Sequence, residues 1–129
     1  MFYEELYTEL GKLFYHLASA DGKVQGAEKE ALQTLIKSKW KPLEDSADEF
    51  GTDLSNLIGF SFDYESSEVE TENGFESFMV FYKQNKAQFK PEIIKRILET
   101  AEEISIAYRG RNKDEKEFII NLRSLLGNK

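Results

Sequence analysis

Apolar residues return every three or four positions along most of the chain, a spacing that gathers them onto one face only if the backbone is α-helical. Phe2, Tyr3, Leu6, Leu10, Leu13, Phe14 and Leu17 make one such stripe and predict a first helix between Phe2 and Ala20. Asp21-Gly-Lys interrupts it. A second stripe, Leu32, Leu35, Ile36 and Trp40, ends before Pro42. A third helix is expected from near Ser46, carrying Phe50, Leu54, Leu57, Ile58 and Phe62, with the acidic Ser66-Ser67-Glu68 region reading as a loop. Phe75, Phe78, Met79 and Tyr82 predict a fourth. The fifth opens at Pro91, whose fixed φ and missing N–H suit a first helical position, and its stripe is Ile94, Ile97, Leu98, Ala101, Ile104 and Tyr108. Phe118, Ile119, Leu122, Leu125 and Leu126 define the last, which stops at Gly127. With only three Val, five Thr and two Pro in 129 residues, strands are disfavoured. The expected fold is a compact all-α bundle of about six helices, residues 1–129 forming one domain.

Composition removes whole classes of chemistry. Cysteine is absent, so thiol nucleophiles, thiolate metal ligands, iron–sulfur clusters and disulfides are excluded together. His16 is the only histidine, which excludes a multi-histidine zinc site and a two-histidine relay and favours a structural role for that ring. No run approaches the 18 or so apolar residues of a membrane span, and Met1-Phe-Tyr-Glu-Glu has no basic signal head. A cytoplasmic protein with no membrane span is the expectation.

Charge is segregated. The net value is −7, yet residues 42–82 hold no Lys, Arg or His while carrying Glu44, Asp45, Asp48, Glu49, Asp53, Asp63, Glu65, Glu68, Glu70, Glu72 and Glu76. All 17 Lys and Arg residues lie outside that segment. It is expected to form one continuous negative face, or an acidic loop near residues 63–72, and to meet a basic surface of another protein or of a second copy. The basic run Arg109, Arg111, Lys113 and Lys116 beside Tyr108 is diluted by Asp114, Glu115 and Glu117, so a nucleic-acid partner is not expected. Phe81 joins Phe78 and Met79 on a helix with more than one apolar face, a core pattern first and a partner surface second.

Displacing the sequence by 87 residues aligns Ala20 with Ala107, Glu28-Lys-Glu30 with Glu115-Lys-Glu117, Leu32 with Ile119 and Leu35 with Leu122. A helix-turn-helix at each end is therefore duplicated. Glu28 and Glu115 each stand four residues before an inward apolar position, which turns both acids toward the bundle. Gln25 and Asn112, three residues earlier, occupy the place of a capping-box partner, so each Glu reads either as a helix cap or as a cation ligand.

The stretch Leu17-Ala-Ser-Ala-Asp-Gly-Lys-Val-Gln-Gly-Ala-Glu-Lys-Glu-Ala-Leu resembles the signature of the TerB-like domain of tellurite-resistance proteins and of the N-terminal part of the DjlA co-chaperone. That resemblance implies an all-helical domain of two related halves, without catalytic activity, that binds divalent cations through acids near its turns. The matching acids here are Asp21 and Glu28, for calcium, magnesium or manganese. In the second copy Tyr108, Arg109 and Gly110 replace Asp-Gly-Lys, so any cation site is expected to be single, with Arg109 pairing an acid instead as the rival arrangement. The turn also imitates part of an EF-hand loop, with Gly22 sixth and Glu28 twelfth, but Leu17 and Ser19 fall where ligands one and three belong. The expectation is a non-enzymatic accessory protein of bacterial stress response, acting through a cation, a protein partner or both. The alternative is a metal-free interaction module using the acidic middle segment.

Overall fold

A computed structural model describes residues 2–19, 26–40, 54–67, 73–107 and 113–127. Within them lie α1 (Phe2–Ala18), α2 (Gly26–Leu35), α3 (Asn56–Ser67), α4 (Gly74–Gln84), α5 (Pro91–Ile106) and α6 (Lys113–Leu125), and no strand occurs among the described residues. The all-α bundle expected from periodicity is the observed fold. A π-helical turn, Ile36–Trp40, extends α2, and a short 3₁₀ turn, Lys86–Gln88, links α4 to α5.

α1 is the central element. It lies against α3, α4 and α5, and touches α6, while α2 crosses to α5 and α6 also packs on α5. Its inward residues Leu6, Tyr7, Leu10, Leu13, Phe14 and Leu17 are fully buried and join a hydrophobic cluster drawn from all six helices. Two glycines set how closely its neighbours approach. A Cβ on Gly11 would stand 2.6 Å from the Ile58 carbonyl oxygen of α3, and one on Gly74 would stand 2.6 Å from the Lys12 carbonyl carbon. Both helices therefore cross α1 at backbone contact distance, where no side chain fits. Ser61 Oγ seals the first crossing by donating to the Thr8 carbonyl at 2.7 Å.

The 87-residue repeat extends to the burial pattern. Leu6, Leu10, Gly11, Leu13, Phe14, Leu17 and Ala18 of α1 are buried, and so are their counterparts Ile93, Ile97, Leu98, Thr100, Ala101, Ile104 and Ser105 of α5. α2 and α6 begin at equivalent positions, Gly26 and Lys113, and bury Glu28, Leu32 and Leu35 as α6 buries Glu115, Ile119 and Leu122. The duplicated pairs thus use the same faces.

The structure corrects several expectations. α3 continues through Ser67 rather than giving way to a loop at Ser66, because its inward stripe runs on from Ile58 and Phe62 to a buried Glu65. An acidic loop spanning 63–72 is therefore wrong for 63–67, which are helical, and Glu68, Glu70 and Glu72 lie outside the described residues. Ile93, not Ile94, is the buried first anchor of α5. Phe81 is core, stacked on Phe2 with ring centroids 5.8 Å apart. The proposed third-helix start at Ser46, Phe50 and the end of the fifth stripe at Tyr108 lie outside the described residues.

Local signals fix the ends. Asn73 caps α4, its side chain accepting from the Glu76 N–H at 3.1 Å. Pro91 occupies the first turn of α5, and Gly127 follows α6 at φ 70°, the left-handed conformation that ends a helix. The π-helical turn is held by α5. The Trp40 indole N–H donates to Thr100 Oγ1 at 3.0 Å, that hydroxyl donates to the Arg96 carbonyl at 2.7 Å, and Arg96 donates to the Lys39 carbonyl. The Lys39 carbonyl, released at a helix end, is thereby satisfied.

Candidate functional site

The first α1–α2 turn is where sequence places a cation. α1 closes at Ala18, and Ser19 finishes it by donating its N–H to the Tyr15 carbonyl at 2.9 Å and its hydroxyl to the His16 carbonyl at 3.3 Å. Asp21, Gly22 and Gln25 lie outside the described residues, so of the pair Asp21 and Glu28 the structure describes Glu28. Glu28 is the third residue of α2 and only 3% exposed, one turn ahead of the buried Leu32. A carboxylate taken out of water at that depth requires a compensating donor or cation, and the positive end of a helix N-terminus favours negative charge there.

Glu115 is the third residue of α6 and 2% exposed, so the two halves hold their acids alike. Tyr108, Arg109, Gly110 and Asn112 lie outside the described residues, which leaves the Arg109 pairing undescribed. Among the described residues no three His, Asp or Glu side chains converge as a metal cluster would.

The lone histidine has a defined structural task. His16 Nδ1 accepts the N–H of Gly74 at 3.3 Å, so the imidazole ties the first residue of α4 to α1, and its ring lies against Phe118 of α6 with centroids 5.6 Å apart. Nδ1 accepts only when it carries no proton, which fixes the neutral tautomer protonated on Nε2. Burial lowers the His16 pKa below 6.5, opposed by the nearby Glu76 carboxylate, which raises it. Its being the only histidine marked this residue as structural but gave no sign of its partner, 58 positions away.

The acidic middle segment is engaged where it is described. Asp63 Oδ1 pairs with Lys29 Nζ of α2 at 2.6 Å, and Glu65 is buried. Glu76 lies at the α4 N-terminus, where a negative charge is favoured. A single negative face is thus interrupted at α3.

These features define an all-α domain of two duplicated helix pairs packed about a central first helix, with a buried acid opening the second helix of each pair. Residues 8–129 match the family model described as tellurite resistance protein TerB, and the chain belongs to that family. No curated protein and no solved structure gives a significant match. No described helix is long and apolar enough to cross a membrane.

Proposed function

We propose that this chain is a TerB-family accessory protein of bacterial stress response, without catalytic chemistry of its own, that binds one divalent cation at the first turn through Asp21 and Glu28. The observation that carries the reading is the burial of Glu28 at the opening of α2, seven residues after Asp21. Glycine, the residue type at position 22, tolerates sharp turns, and backbone carbonyls at such turns suit an oxygen-seeking ion such as calcium, magnesium or manganese. Absence of cysteine and the engagement of the only histidine in holding α4 are consistent with a protein that binds rather than reacts. The link to tellurite comes from the family.

The test is thermal unfolding of chelator-stripped protein with millimolar calcium, magnesium or manganese. Ligand that binds only the native state stabilises by about 2.7 kcal/mol at a hundredfold excess over Kd. The wild type is expected to gain several degrees, and Asp21→Asn and Glu28→Gln to lose the gain. If no cation shifts the wild type, or neither substitution reduces the shift, Glu28 is a helix cap and the protein works without metal. A metal-free module that docks a protein on its acidic segment is then the reading to pursue.

A further inference from the structure

Side-chain hydrogen bonds that join one helix to another differ in what a proton does to them. α3 is tied to α1 by Ser61 Oγ donating to the Thr8 carbonyl, and the π-helical turn is tied to α5 through the Trp40 indole and the Thr100 hydroxyl. Neither tie titrates. α4 is held to α1 differently: its Gly74 N–H donates to His16 Nδ1 at 3.3 Å, and one turn later Ser77 Oγ donates to Glu9 Oε1 at 2.5 Å. Gly74 is the first residue of α4, so its N–H is one of the four that a helix cannot satisfy from within, and His16 supplies the acceptor. A proton on Nδ1 turns that acceptor into a donor. Two N–H groups then face each other where the Gly74 backbone already lies against Lys12, and the positive end of α4 opposes the imidazolium as well.

Three elements close on the ring, and their charges divide. On α1, Lys12 stands one turn earlier and pairs with Glu9 at 3.6 Å; on α4, Glu76 lies two residues past the hydrogen bond and favours the imidazolium. On α6, Phe118 meets the ring, with the buried Glu115 one turn ahead of it. Burial outweighs the attraction of Glu76 and holds the His16 pKa below 6.5. Opening the first turn of α4 returns that side of the ring to water and lifts part of the penalty. The open form therefore takes up a proton more readily than the closed one, and by linkage the proton drives opening.

The movement has a defined extent. Ser77 stays fixed on Glu9 and Phe81 stays stacked on Phe2, so only residues 73–76 have to move. From this arrangement we infer that protonation of His16 releases the first turn of α4 from α1 while the rest of the bundle stays folded. Phe75, whose ring meets Phe118 edge-on at 5.4 Å, moves with that turn, so acid uncovers an aromatic pair that neutral pH keeps closed. The device does not depend on the cation reading.

The experiment is amide hydrogen exchange of the full chain by NMR, read as protection factors from about pH 7.5 to about pH 5, with the His16 ring resonance followed in the same samples. The reporters are Gly74, Glu76, whose N–H is capped by Asn73 Oδ1, and Ser77, whose N–H bonds the Asn73 carbonyl. Their protection is expected to fall together, by up to about tenfold per pH unit between 6.5 and the lowered folded pKa, while the buried Ile58 of α3 and Ile97 of α5 keep theirs. His16→Asn, with an acceptor that does not titrate, is expected to abolish the pH dependence at all three. Loss confined to Gly74 overturns the proposal, because a hydrogen bond would then break without the turn opening. So does a fall shared equally by Ile58 and Ile97, which is global unfolding, or protection that stays constant across the range. A pH dependence at Glu76 and Ser77 that survives His16→Asn overturns it too.

Discussion

Gly74 and His16 show how much rests on single positions. Gly74 touches the α1 backbone at Lys12, so Gly74→Ala forces α4 away from the helix it packs against, and Gly11→Ala does the same to α3. Each is expected to cost about 1–3 kcal/mol or more, read as a drop in denaturant midpoint, the range seen when extra methyl groups enter full sites. Gly26, with nothing within 4 Å of its missing Cβ, is the control: Gly26→Ala is expected to be neutral or to stabilise by up to about 1 kcal/mol. His16 carries the pH dependence. Its folded pKa lies below its unfolded value, so between the two the unfolded chain binds the extra proton, and stability falls as pH drops from about 6.5 through the lowered folded pKa. Above 6.5 that contribution is fully present. His16→Asn, which keeps an acceptor without a titrating ring, is expected to flatten the stability profile between pH 7 and 5 relative to wild type. None of these contacts was legible in the sequence, because glycine carries no periodic signal and the partner of His16 lies on another helix. Solitude alone pointed to a structural histidine.

Periodicity served elements well and boundaries less well. Each of the six stripes contributes a helix among the described residues, though α3 opens only at Asn56, after Leu54, because a run of inward positions at helical spacing has no other way to bury its side chains. The misreadings have physical causes. Ser66 and Ser67 resembled a loop because their composition is polar, yet α3 continues inward through Glu65, an acid that the apolar pattern could not count. Ile93 and Ile94 are adjacent, and a stripe read from side-chain type alone cannot choose between neighbours; alignment with Leu6 of α1 through the 87-residue repeat selects Ile93. Capping chemistry lent itself to simple tests. Asn73→Ala removes the acceptor for the Glu76 N–H and is expected to lower stability by about 1 kcal/mol. Thr100→Val keeps the volume beneath Trp40 but strips its indole of an acceptor, with an expected loss of about 1–3 kcal/mol measured by chemical unfolding. Of the candidate cation site, one acid proved to be buried as its spacing implied, and the other lies outside the described residues.

On the scale of the whole molecule, the common hydrophobic cluster ties the halves together, since α2 packs on α5 and α1 reaches α6. Unfolding is expected to be a single transition in which Trp40 fluorescence and far-ultraviolet circular dichroism coincide; separated midpoints would show that the halves melt independently. The central place of α1 also has a consequence for how the chain is made. During synthesis α1 emerges before every other described helix, whereas the helices that cover it are supplied by residues from 54 onward, and α5 and α6 come last of all. Leu10, Leu13 and Leu17 therefore wait on the ribosome for their final neighbours, and the native arrangement closes only once α5 and α6 have emerged. Duplication has placed the closing half of the core some ninety residues downstream of the first helix, so the nascent chain stays open to proteases and to sticky encounters until that second pair arrives.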